Sequence, residues 1–158
     1  MNTRYATSKD IPELVRVINL AYRVEDFFID GSRTNAADVK SRIDTPGACF
    51  IVVDSDTTTG RLAGAVFVDI HESRGHFAVL SVDPAFQGRG LARLLIDAVE
   101  KHCRDAGCDA LDIEVVNLRL ELPAFYTKFG FKPNGTSIFP DTEKLTREAH
   151  LLLMSKPL

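Results

Sequence analysis

Apolar side chains recur at Leu14, Val17, Ile18 and Ala21, the spacing of one helical face. Just before them, Ser8 or Asp10 can cap the free amides, Pro12 suits a first turn, and Glu13 favours the positive helix end. Tyr22 to Arg33 breaks that period and sets aromatics among charges. A second short helix, capped by Thr34 or Asn35, is predicted through Ile43 and closed by Pro46-Gly47. Then the pattern changes. Ala48–Val53, Leu62–Ile70 and Phe77–Val82 are apolar, β-branched runs separated by the polar turns 54–60 and 71–75. Short turns between neighbouring strands predict antiparallel pairing.

After Val82 a glycine-containing loop leads into a long helix starting near Gly88 to Gly90. Its predicted inner stripe is Leu91, Leu94, Leu95, Ala98 and Cys103 with His102, while Arg93, Asp97, Glu100, Lys101 and Arg104 face outward, and Gly107 stops it. A strand over Ala110–Val116, a short helix over Glu121–Phe129 and strands over Phe131–Phe139 and His150–Met154 complete the reading. With a first strand at the start, this is an α/β chain of the α+β mixed-sheet kind with about seven strands. Its N-terminal part is antiparallel, its centre is a parallel βαβ unit, and helices cover both faces.

Composition narrows the function classes. At 158 residues, 45% hydrophobic and 26% charged, the chain suits a single domain over 1–158 with one well-filled core. A formal charge of −3 argues against general affinity for nucleic acid. Met1–Tyr5 has no apolar leader core, and no apolar run approaches the length of a bilayer span, so no membrane partner is expected. Cys49, Cys103 and Cys108 form no C-x-x-C pair and are expected as free thiols in a reducing cytoplasm. His71, His76, His102 and His150 are scattered, with no H-E-x-x-H, so no metal is expected.

The loop Asp83–Ala92 has the makings of an anion cradle. Gly88 and Gly90 let a pyrophosphate approach the backbone, and the first helical amides point at it with the positive dipole end. Arg89 can add charge. A dinucleotide fingerprint needs glycine where Arg93 stands, and a Walker loop needs a G-K-[ST] that the chain lacks. What remains is Gln87-x-x-Gly90-x-Ala92 after a strand ending Leu80-Ser81-Val82.

This pattern resembles motif A (Q/R-x-x-G-x-G/A) of the GNAT superfamily, the acyl-CoA-dependent N-acyltransferases. Leu118 to Phe131, with Tyr126 followed by Gly130-Phe131, resembles the second signature of that family. One position departs: many members carry Asn where this chain has Arg119, and Asn117 lies two residues earlier. The resemblance implies a GNAT-like fold and an N-acetyltransferase moving acetyl from acetyl-CoA to a primary amine, of a small molecule or a peptide, by direct attack in a ternary complex. The alternative is a catalytically silent acyl-CoA-binding sensor or interaction module.

By the same resemblance, the backbone at Leu80, Ser81 and Val82 would pair with the pantetheine arm. Gln87, Gly88, Arg89, Gly90, Leu91 and Ala92 would hold the pyrophosphate, and Asn117 would contact the pantetheine. Tyr126 would sit beside the sulfur as general acid. The base is open among Glu25, Asp26, Asp69, His71 and Glu72, with Glu25 favoured because its aromatic neighbours suggest burial. The acceptor would meet Phe27, Phe28, Arg33, Asp69 and His71, with Phe139 and Pro140 as further wall, unless the aromatics simply complete the core. A homodimer through an edge strand such as His150–Met154 is also expected.

Overall fold

The computed structural model describes residues 1–158. Seven strands form one sheet: β1 (Thr3–Tyr5), β2 (Ala48–Asp54), β3 (Leu62–His71), β4 (Arg74–Val82), β5 (Ala110–Val116), β6 (Lys132–Ile138) and β7 (His150–Pro157). Four helices pack on it: α1 (Ile11–Ala21), α2 (Ala36–Ile43), α3 (Leu91–Asp105) and α4 (Leu122–Thr127). The strand order is β1-β2-β3-β4-β5-β7-β6, antiparallel except for β4 with β5. Both the mixed-sheet class and the central parallel crossover agree with the sequence reading.

Two apolar clusters make up the core, one per sheet face. On one, Leu91, Leu95, Ile96, Val99 and Cys103 of α3 and Tyr126 of α4 pack on Phe77, Leu111, Ile113 and Val115. On the other, Leu14, Val17, Ile18 and Val39 of α1 and α2 pack on Phe50, Val52, Ala65, Phe67 and Val79. The run Leu62–Val68 in β3 is buried on both sides, which is why it reads as continuously apolar rather than alternating.

Local details differ from expectation in informative ways. Thr7, not Ser8 or Asp10, supplies the cap: it forms a capping box with Asp10 around a single 3-10 turn before α1. Asn35 caps α2 by accepting from the Asp38 N–H at 2.9 Å. The α3 stripe also includes Ile96, Val99 and Glu100; Glu100, read as outward, is buried and ion-paired with Lys156 of β7. The expected edge strand is corrected as well. β7 lies between β5 and β6, so the free edges are β1 and β6, and every residue of β6 is exposed.

Two features of β4 open the middle of the sheet. Its pairing with β5 covers only Arg74–His76 against Ala110–Asp112, after which the strands separate. Against β3 the register slips between Ala65 and Phe67, and Val79 takes a left-handed φ of +49°. That conformation is rare for a β-branched residue and marks a bulge. Parting strands on one side and a bulge on the other leave a V-shaped gap between β4 and β5.

Candidate active site

The loop after β4 is anchored before it turns. Asp83 accepts from the Ala85 N–H at 2.9 Å and from Arg16 Nη1 at 3.0 Å, tying the loop to α1. Gly88 and Gly90 then take φ of +78° and +77°, which an L side chain adopts only with strain. A Cβ built on either would project into open space, so the backbone itself forms the surface there. None of the amides of Gly88, Arg89, Gly90, Leu91, Ala92 and Arg93 donates to a carbonyl of the chain. Such a row at the N-terminus of a fifteen-residue helix is a site for phosphate oxygens. Arg89, expected to add charge, is instead paired with Asp56 at 2.7 Å and lies over the Phe86 ring.

Two cavities open on the V-shaped gap. The first, about 300 Å³, runs from Gln87, Gly88, Gly90, Leu91 and Ala92 past Leu80 and Val82 to Arg119 and Tyr126. The second, about 330 Å³, is lined by Glu25, Arg33, Arg42, His76, Glu114, Asp141, Phe139 and Pro140, and also reaches Tyr126. Tyr22, Leu80, Leu122 and Tyr126 line both. Ser81 is buried, with its Oγ donating to Val79 O at 2.7 Å, and lines neither cavity.

Tyr126 is 8% exposed, with its ring among Phe77, Phe125 and Phe131. Its hydroxyl makes no hydrogen bond within the protein, although a buried phenol normally finds a partner. Burial pushes its pKa well above the ordinary tyrosine value. A free hydroxyl that stays protonated thus stands where the two cavities meet.

Glu25 is buried as expected, and burial raises its pKa. It is also held by Arg119 Nη1 at 3.0 Å, while Arg119 Nε donates to Glu121 at 2.6 Å. Arg119 is therefore the groove residue, and Asn117 stands apart. The Asn117 Oδ1 accepts from the His150 N–H at 2.8 Å and lines neither cavity. Phe28 is a fully buried core residue and Phe27 a half-exposed one stacked on it; neither lines the gap, whereas Arg33, Phe139 and Pro140 do.

Asp69 and His71 lie outside the gap, in a neighbouring hollow of about 570 Å³. They connect to it through two residues the sequence reading passed over. His76 donates to Asp69 at 2.7 Å through Nδ1 and to Glu114 at 2.6 Å through Nε2, and His71 Nε2 lies 2.7 Å from Asp69. His76 and Glu114 line both the hollow and the gap. The available signal was polar alternation: Glu114 and Asp112 interrupt an otherwise apolar β5 beside the parting strands. No group of three or more His, Cys, Asp or Glu side chains is arranged to hold a metal ion.

Burial works against charge on His76, but hydrogen bonds to the two carboxylates outweigh it and lift its pKa to about 9. A raised histidine stabilises the fold fully below its unfolded value near 6.5, and that contribution is lost as pH rises through about 9. His76→Gln is therefore expected to destabilise by on the order of 2 kcal/mol at pH 6. The difference from wild type in urea midpoint should shrink between pH 7 and 10. A constant difference across that range would show that the imidazole is not held cationic.

Comparisons with known proteins agree with this geometry. The Acetyltransferase (GNAT) family model matches residues 14–131. Homo sapiens N-acetyltransferase 8B is 33% identical over 111 residues, covering 68% of this chain and 49% of that protein. Mycothiol acetyltransferase of Nocardia farcinica is 30% identical over 137 residues, covering 82% of this chain and 44% of that one. The chain thus spans about half the length of these relatives. The crystal structure of the ribosomal-protein-S18-alanine N-acetyltransferase from Escherichia coli superposes with a TM-score of 0.78 at 17% identity, covering 99% of this chain and 92% of that one. With the parted β4 and β5, the glycine loop and Tyr126 all within the fold that the family shares, this chain belongs to the acetyltransferase (GNAT) family.

Proposed function

We propose that the chain transfers the acetyl group of acetyl-CoA to a primary amine, both bound together. The observation that carries this reading is the meeting of two cavities at Tyr126, one of them headed by the unpartnered amides of Gly88 to Arg93. The pyrophosphate would rest on those amides. The side of β4 beyond His76 that has no strand partner would hydrogen-bond the pantetheine arm as a substitute strand. The acceptor would occupy the second cavity, and three free thiols support a reducing compartment.

The chemistry rests on the groups present. An amine of lysine-like pKa arrives as ammonium and must give up a proton before attack. Glu114, which His76 orients and which lines the cavity from the sheet, accepts it; Glu25, held by Arg119 in the same way, is the contender. The nitrogen attacks the thioester carbon and forms a zwitterionic adduct. As the C–S bond breaks, Tyr126 hands its proton to the sulfur and the adduct nitrogen returns one to the phenolate. This leaves the amide, CoA thiol and neutral tyrosine, while the carboxylic acid gives the first proton to water. A phenol with a raised pKa is a weaker acid than a thiol, so this transfer is coupled to collapse of the adduct rather than preceding it.

The test is calorimetry with CoA and acetyl-CoA followed by thiol release with a panel of amines. Saturable binding and amine-dependent release of free CoA are expected. Binding without release from any amine would point to a silent acyl-CoA sensor, and no binding would remove the reading altogether.

A further inference from the structure

We propose that the acceptor amine carries a carboxylate, and that Arg33 receives that carboxylate at the wall of the second cavity. This rests on the acetyl-transfer reading above. The bonding of the cations around the cavity leads to it. Three carboxylates line the space, and each is engaged by a cation: Glu25 by Arg119 at 3.0 Å, which also holds Glu121, Glu114 by His76 at 2.6 Å, which also holds Asp69, and Asp141 by Lys144 at 3.5 Å. Arg42 on the same wall is matched by Asp38 at 3.5 Å.

Arg33 is left over. It forms no ion pair and no side-chain hydrogen bond, yet it lines both this cavity and an outer one of about 430 Å³. The Arg33 guanidinium lies 4.9 Å from the Tyr22 ring centroid, so its plane is supported while its N–H groups stay free. A planar fork in that state suits two parallel hydrogen bonds to a carboxylate.

The rest of the cavity defines the other parts of such a molecule. On the sheet wall Glu114 and Asp69 share the single cation His76, so an ammonium is favoured beside Glu114, and Ile29, Phe139 and Pro140 offer apolar surface. An amine, an anion and an apolar substituent together describe an α-amino acid or a close derivative. A peptide amine whose carboxylate is blocked would leave Arg33 unmatched.

The experiment measures thiol release by the full chain with acetyl-CoA and matched sets of acceptors. Each set holds an apolar α-amino acid, its decarboxylated amine, its amide and an aminoalkyl phosphate. The amino acid should be preferred by roughly 10–100-fold in kcat/KM, the range for a charge-assisted pair. Arg33→Gln should remove most of that preference by raising the acceptor KM, with Arg33→Lys restoring part of it and Arg33→Glu shifting preference toward diamines. Melting curves of the variants confirm that each is folded. If acetyl-CoA binds but amides, amines or phosphates equal or exceed the amino acids, or no amino acid is acetylated, the assignment is overturned while the cofactor reading stands. If acetyl-CoA does not bind, both fall.

Discussion

Replacing Tyr126 by Phe should lower kcat by about 10²–10⁴-fold, the range for removing a general acid. The KM for acetyl-CoA should stay near the wild-type value. The ring packs among Phe77, Phe125 and Phe131, contacts that phenylalanine keeps. The hydroxyl forms no hydrogen bond within the protein, so its removal orphans no buried partner and leaves stability nearly unchanged. A loss of turnover in a folded variant that still binds the cofactor therefore isolates proton delivery to sulfur. Thiol release at the wild-type rate, measured with an acceptor that saturates, would take the tyrosine out of the mechanism.

Glu114→Gln is the second large effect, a fall in kcat/KM for the acceptor of on the order of 10²-fold or more. Glutamine keeps the size and can still meet His76, but it cannot take a proton from an ammonium. The comparison that decides the assignment is Glu25→Gln. Glu25 shares the cavity and has its pKa raised by burial, but it is engaged by Arg119. If Glu114 is the base, the acid limb of the pH–rate profile disappears in Glu114→Gln and persists in Glu25→Gln. The reverse result would return the role to Glu25 and make Glu114 a partner of His76 only.

Much of the molecule was legible in the residues. Strand-length apolar runs and the helical spacing of Leu14, Val17 and Ile18 placed nearly every element, because their patterns are set by burial on one or two faces. Gly88 and Gly90 announced the anion cradle because few other residues reach their backbone conformation. What stayed hidden depends on contacts far apart in sequence. Arg119 looked like a departure from a motif, and only its ion pair with Glu25, 94 residues away, places it in the groove. Asn117 reads as a pantetheine contact until β7 arrives beside it and occupies its side chain. The bonds of His76 to Asp69 and Glu114 join three strands, and no local window contains them. Phe27 and Phe28 differ by one position and have opposite fates, which a run of two aromatics does not disclose.

The extra residue in β4 decides which side chains reach the cofactor. Ala78 and Val79 both turn toward the α1 side, after which Leu80 and Val82 face α3 and the first cavity. Strict alternation from Phe77 would have sent Ser81 into that groove and turned Leu80 and Val82 the other way. The same residues paired without the bulge would present a hydroxyl where an aliphatic wall now stands, and would press two bulky groups against α1. The odd count of a single strand thus sorts oily from polar lining, and because Phe-Ala-Val-Leu-Ser-Val is largely apolar on both sides, nothing in its hydropathy gives the miscount away.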